Sequence, residues 1–152
     1  MLRSGAPMPS LEGATLWLHG EATPEGLRGG PALVQFWARS CGICKDNLPT
    51  LRRWKEQYGP RGLRIVSIHM PRQESDTRIE DVEAVARANG MDEPVAIDNE
   101  HAIGRRFETG GLWPVYFLFD GEGRLRSRAA GAAGLGVLES ALRRLLDEAR
   151  AA

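Results

Sequence analysis

The chain has 152 residues, 42% of them hydrophobic, and its 20 basic and 20 acidic side chains cancel to a formal net charge of zero. That length and apolar content suit one domain, residues 1–152, able to bury a sizeable core. Balanced charge gives no footprint for nucleic acid or an anionic membrane surface as partner, and no stretch is long and apolar enough to cross a bilayer.

The first ten residues, MLRSGAPMPS, hold no apolar segment of a signal peptide. The chain as written is therefore expected in the cytoplasm, or outside it if an export segment has been trimmed. GAPMPSLEG reads as an irregular lead-in. Ala14 to Leu18 (ATLWL) reads as a short strand, expected to form an N-terminal hairpin with residues near Ala22 to Leu27. Pro31 to Ala38 (PALVQFWA) is almost continuously apolar, which predicts a central strand buried on both faces, with Gln35 its one polar residue.

Directly after it, FWARSCGICKDNLP carries both cysteines of the chain, Cys41 and Cys44, at a strand-to-helix turn. A Cys-x-x-Cys pair at such a junction reads as a redox dithiol. In the first turn of a helix the Cys41 sulfur meets unpaired N–H groups and the positive end of the dipole, which favour the thiolate, so Cys41 is the expected nucleophile. Cys44 falls on the same helical face and is the expected resolving thiol. Gly42 leaves the approach open, and Ile43, unlike proline, keeps an N–H that can point at the sulfur. A zinc site is the weaker reading, because only His19, His69 and His101 accompany the cysteines and none has a paired metal spacing. A purely structural bridge is weak too, since so small a loop gains little from closure.

The helix is predicted from Gly42 to about Tyr58, with Leu48, Leu51 and Trp54 on its buried stripe and Pro49 expected to kink it. Leu63 to His69 reads as the next parallel strand. His69 lies at its carboxyl end, where open α/β sheets place their sites, and is either a neighbour of the dithiol or a satisfied structural histidine. MPRQESDTR reads as a polar loop, Glu80 to Ala88 as an amphipathic helix ended by Asn89-Gly90, Pro94 to Ile97 as a short strand and His101 to Phe107 as a short helix. Val115 to Phe119 and Arg124 to Arg128 read as strands joined by a turn at Asp120 to Gly123, the arginines facing water. A flexible connection is expected over Gly131 to Gly136, then a last helix over Leu138 to Ala149.

Several motifs occur in a fixed order: the SC-x-x-C at Ser40 to Cys44, LP-x-L-x-x-W at Leu48 to Trp54, H-x-P at His69 to Pro71 and WP-x-x-x-L at Trp113 to Leu118. Over most of its length the chain resembles thioredoxin-fold proteins of the TlpA-like branch. Within that branch it is most similar to the thioredoxin-like domains attached to the membrane transporter DipZ and to NHL-repeat proteins. The resemblance implies an α/β thioredoxin fold: a central mixed sheet flanked by helices, with the N-terminal hairpin and an inserted helix–strand unit that thioredoxin lacks. It implies a cis peptide bond at Trp113-Pro114 opposite the dithiol, and substrate contacts from Gly42, Ile43, Trp37, Trp113 and Pro114.

Two departures from the family pattern bear on proton transfer. Gln35 occupies the position of thioredoxin's buried acid, and Asn47 stands where many TlpA-like members carry glutamate. With both carboxylates absent, water or His69 is left to move the proton, and Gln35→Ala is expected to leave the titration of Cys44 nearly unchanged. The implied function is disulfide exchange with protein substrates in the reductive direction. The oxidised pair would be re-reduced by a protein electron donor, in a monomer needing no cofactor and no metal. The rivals are a thiol peroxidase, against which Ala38 stands where peroxiredoxins usually have threonine or serine, and a redox-sensing interaction module.

Overall fold

The apolar run at residues 31–38 becomes the middle of the sheet because both of its faces find cover. In the computed structural model, which describes residues 1–151, the strands are β1 (Leu16–Leu18), β2 (Ala32–Trp37), β3 (Arg64–His69), β4 (Val95–Ile97), β5 (Val115–Phe119) and β6 (Leu125–Ala130). They form one mixed six-stranded sheet in the order β1-β4-β3-β2-β5-β6. β2 runs parallel to β3 and antiparallel to β5, and every one of its residues is buried. The helices are α1 (Gly42–Tyr58), α2 (Ile79–Ala88), α3 (Ala102–Arg106) and α4 (Gly134–Ala151).

Strand alternation sorts the core into two halves. Leu33, Trp37 and Ile65 point to the face covered by α1, α2 and α4, where they meet Leu48, Leu51, Trp54, Val82 and Leu142. Val34, Phe36, Val66 and Ile68 point to the other face, closed by Ile103 of α3, by Phe107 just after it, and by Met8, Leu11 and Leu27. Phe107 makes edge-on contacts with Phe36 and Phe117 at 5.2 and 5.3 Å, anchoring the inserted unit β4–α3 to the sheet. The lead-in is tied down by backbone bonds from Gly5 to Leu125 and from Met8 to Gly123, so it crosses the β5–β6 turn as a cover for this second face.

Two expectations are corrected. The N-terminal hairpin does not form: β1 pairs antiparallel with β4 instead, Leu16 opposite Ile97. Residues 23–27 curl into a turn, with the Leu27 N–H bonded to the Thr23 carbonyl and the Gly26 N–H to the Thr23 hydroxyl. That turn, with Pro24 lacking an N–H, leaves no ladder for β1, and the edge of β4 offers one. The connection expected over Gly131 to Gly136 is also shorter, because α4 begins at Gly134. A Cβ there would lie 2.9 Å from the Tyr116 ring, so glycine lets the helix start close against β5.

Candidate active site

Cys41 is the N-cap of α1, in extended backbone, and its Sγ accepts the Cys44 N–H at 3.1 Å. Only a sliver of Cys41 (4%) and none of Cys44 reaches the surface, and the two are joined by a disulfide with a Cα–Cα separation of 5.3 Å. The helix start supplies the N–H groups expected from the sequence; the one donated to the sulfur comes from Cys44 rather than Ile43. α1 continues through Pro49 to Tyr58. Gly42 is exposed and Ile43 is 44% exposed, so the intervening pair forms the outer surface of the motif.

The turn before Cys41 is held from below by groups far away in sequence. The Ser40 hydroxyl donates to Asp76 Oδ2 at 2.6 Å, and the same oxygen accepts the Arg72 N–H at 3.0 Å. The Arg39 guanidinium approaches Asp76 Oδ1 at 3.8 Å. The backbone N–H of Arg39 donates to His69 Nε2 at 3.0 Å. Asp76 and His69 are both fully buried. Burial pushes His69 down to about 4, helped by the charge of Arg39 and opposed by Asp76. His69 is therefore a neutral acceptor that fixes the turn beside the dithiol.

At the start of β5, whose Val115 faces Phe36 near the carboxyl end of β2, the Trp113-Pro114 peptide bond is cis. Trp113 is half-buried, and its indole N–H donates to the Met70 carbonyl at 2.6 Å. It stands edge-on to His101 at 6.2 Å and packs against both halves of the core. Pro114 is buried. Trp37 is corrected as a substrate contact: it is wholly buried on β2 with its ring edge-on to His69 at 4.8 Å, because alternation sends it under α1.

Asn47, one turn beyond Cys44, donates to the Tyr116 hydroxyl at 2.8 Å. Burial pushes Tyr116 up to about 12, offset in part by that hydrogen bond, so the phenol stays protonated. Gln35 is fully buried and donates from Nε2 to Ser67 Oγ at 2.7 Å, while its Oε1 has no partner. Ser67 in turn donates to Glu93, whose other oxygen meets Lys55 Nζ at 2.8 Å. Asp76 and Glu93 were not legible as members of the site, since acids in polar stretches read as solvated, and Ser67 was read only as one residue of the strand Leu63 to His69. Ser40 was visible only as part of the SC-x-x-C motif. Among the described residues no group of three or more His, Cys, Asp or Glu converges as a metal site, and no helix is long and apolar enough to cross a membrane.

Comparison with known proteins agrees with this geometry. A family model described as the AhpC/TSA family matches residues 5–128. Thiol-disulfide oxidoreductase YkuV of Bacillus subtilis is 37% identical over 143 residues, which cover 93% of this chain and 95% of YkuV. Protein DipZ of Mycobacterium bovis is 30% identical over 98% of this chain, which spans only 22% of DipZ. The solution structure of a thioredoxin-like protein in the oxidised form superposes with a TM-score of 0.86 at 36% identity, covering 95% of this chain and 97% of that one.

Proposed function

The chain belongs to the AhpC/TSA family as a thiol-disulfide oxidoreductase of the thioredoxin-fold, TlpA-like branch, and from that premise we propose that it reduces disulfides in protein substrates. The observation that carries this reading is the placement of the Cys41 sulfur at the start of α1, within 3.1 Å of the Cys44 N–H and next to the exposed Gly42-Ile43 pair. In the reduced protein the same N–H and the helix dipole favour a thiolate at Cys41.

The exchange balances without a cofactor. The Cys41 thiolate attacks one sulfur of the target disulfide, forming a mixed disulfide and expelling the other sulfur as a thiolate that takes up a proton. Cys44 gives up its proton and attacks Cys41 Sγ, which breaks the intermolecular bond and releases the reduced target. The chain is left with the Cys41–Cys44 disulfide. A protein dithiol donor then returns two electrons by the reverse route. An extended substrate segment lies along Trp113-Pro114, with Gly42 and Ile43 as its other contacts, and the chain works as a monomer.

A peroxidase would need a group to polarise the hydroperoxide, and the residue three before Cys41 is Ala38, a buried methyl with no hydroxyl to offer. The test is turnover of insulin disulfides with dithiothreitol as donor, run beside hydroperoxide consumption. The reading predicts insulin reduction that Cys41→Ser abolishes, and negligible peroxide turnover; rapid peroxide consumption with inert insulin would replace it.

A further inference from the structure

Gln35 raises a question that the exchange reaction leaves open: a buried amide oxygen with no hydrogen-bond partner is unfavourable, yet this one lies in the centre of the sheet. Its orientation is fixed by a chain of hydrogen bonds with one possible polarity. Lys55 Nζ sits 2.8 Å from Glu93 and 3.0 Å from Asp92. Burial lowers the affinity of Lys55 for its proton, but the two carboxylates outweigh that and the net shift is upward, so the ammonium persists. Facing it, Glu93 is a carboxylate and can only accept. Ser67 must therefore donate its one proton to Glu93, and its oxygen must accept from Gln35. The amide of Gln35 is left with its NH₂ toward Ser67 and its Oε1 turned away from it.

That oxygen lies on the face of β2 that α1 covers. Leu33 and Trp37, two residues either side of Gln35, pack in the same cluster as Cys41, Cys44 and Leu48. Its cross-strand neighbour on β5 is Tyr116, whose hydroxyl is held by Asn47 one turn beyond Cys44. Its cross-strand neighbour on β3 is Ser67. On the strands beside β2, the titratable groups of this face are His69 of β3 and Tyr116 of β5, both neutral near neutral pH; α1 adds Tyr58, whose hydroxyl is bonded to Glu139. The charges tied to Gln35 are thus those of Glu93 and Lys55, with Asp92 outside them.

We infer that Gln35 Oε1 is the acceptor for the Cys44 thiol in the reduced protein, and that Ser67 and Glu93 are positioning residues that keep this oxygen, rather than the amide NH₂, toward the sulfur. This deepens the oxidoreductase reading and rests on it. Reduction breaks the Sγ–Sγ bond with two electrons from a dithiol donor, and the proton that Cys44 gains is the one that donates to Gln35. The device stabilises the protonated thiol and with it the dithiol form. It makes the protein a weaker reductant and a slower resolver than the same site with an apolar residue at position 35. The sequence expectation, that Gln35 leaves Cys44 untouched, is the opposite, and titration of Cys44 decides between the two.

The test reads the dithiol itself and needs no protein substrate, so it stands or falls apart from insulin reduction. Cys44 is titrated in the reduced full chain by NMR of labelled cysteine, and the dithiol is equilibrated against glutathione. Gln35→Met, of similar volume but without the acceptor, is expected to shift the equilibrium about fivefold toward the disulfide and to lower the Cys44 pKa by roughly 0.7 unit, the loss of one net hydrogen bond. Glu93→Gln frees Ser67 and lets the amide turn its NH₂ to the sulfur, so it too lowers the Cys44 pKa, but it adds nothing in the Gln35→Met background. Should Glu93→Gln fold poorly, Ser67→Ala cuts the same chain. An unchanged Cys44 in Gln35→Met overturns the proposal, as does an equal effect of Glu93→Gln in both backgrounds, which would mean that its charge acts on the sulfur directly.

Discussion

The hydroxyl of Ser40 donates to the carboxylate of Asp76 at 2.6 Å, tethering the residue beside the reactive sulfur to a turn 36 positions later in the chain. Asp76 is fully buried, and the same carboxylate faces the Arg72 N–H and the Arg39 guanidinium. Asp76→Ala strips two donors, the Ser40 hydroxyl and the Arg72 N–H, of their acceptor and takes the nearby carboxylate from Arg39, and should cost about 2–3 kcal/mol in urea unfolding and slow insulin reduction severalfold. Ser40→Ala, which removes one partner, should cost about 1 kcal/mol. An Asp76→Ala protein with wild-type stability would show that this anchor is idle.

The pH dependence of stability follows from His69. Folding holds it at about 4 against an ordinary value near 6.5, so on acidification the unfolded chain takes up the proton first. The His69 contribution is complete above the unfolded value, is lost as pH falls from about 6.5 to about 4, and is constant below that, for a total of about 3 kcal/mol. His69→Leu forfeits the bond from Arg39 and is less stable at neutral pH, but its unfolding free energy should lack this part of the acid slope. Urea midpoints across that range for both proteins check the sign; parallel slopes would place the acid sensitivity elsewhere.

Asn47 offers a way to restore what the family carries. With Asn47→Glu the Tyr116 hydroxyl, now an acceptor, can rotate and donate to the new carboxylate. The fold should survive, and a negative charge one turn from Cys44 should raise the pKa of that thiol by about one unit. Alkylation rates of Cys44 against pH, measured in the Cys41→Ser background, test this. A lowered pKa would mean that the carboxylate does not face the sulfur.

Gly30 separates stability from chemistry. A Cβ there would lie 2.7 Å from the Gly62 carbonyl oxygen, rigid backbone at the entry to β2 and β3. Gly30→Ala should cost about 1–3 kcal/mol by overpacking. The dithiol sits beyond the carboxyl end of β2, so cysteine alkylation of the folded protein should be unchanged. Equal stability would mean that the two strands separate freely at this end.

What could be read from the sequence was what local pattern controls. The apolar run Pro31 to Ala38, the Cys-x-x-Cys and the stripe Leu48, Leu51, Trp54 marked the central strand, α1 and their junction to within a residue. The cis bond at Pro114 came only through the resemblance, because few X–Pro bonds are cis and nothing local marks this one. The β1 pairing was missed because a three-residue strand takes its partner from whichever edge is free, and β4 lies 79 residues on in its register. The burial of Asp76 and Glu93 was invisible for a like reason: each sits in a polar run, and the groups that make burial tolerable, Ser40 and Arg39 for one and Lys55 and Ser67 for the other, come from distant parts of the chain.

The account turns on one sulfur reacting before its neighbour. The most direct measurement is a brief alkylation of the fully reduced protein at neutral pH, quenched and read by peptide mass. Label is expected on Cys41 well before Cys44, since the first is activated at the helix start and keeps a sliver of exposed surface while the second has none. Label arriving first on Cys44, or on both at one rate, would contradict it.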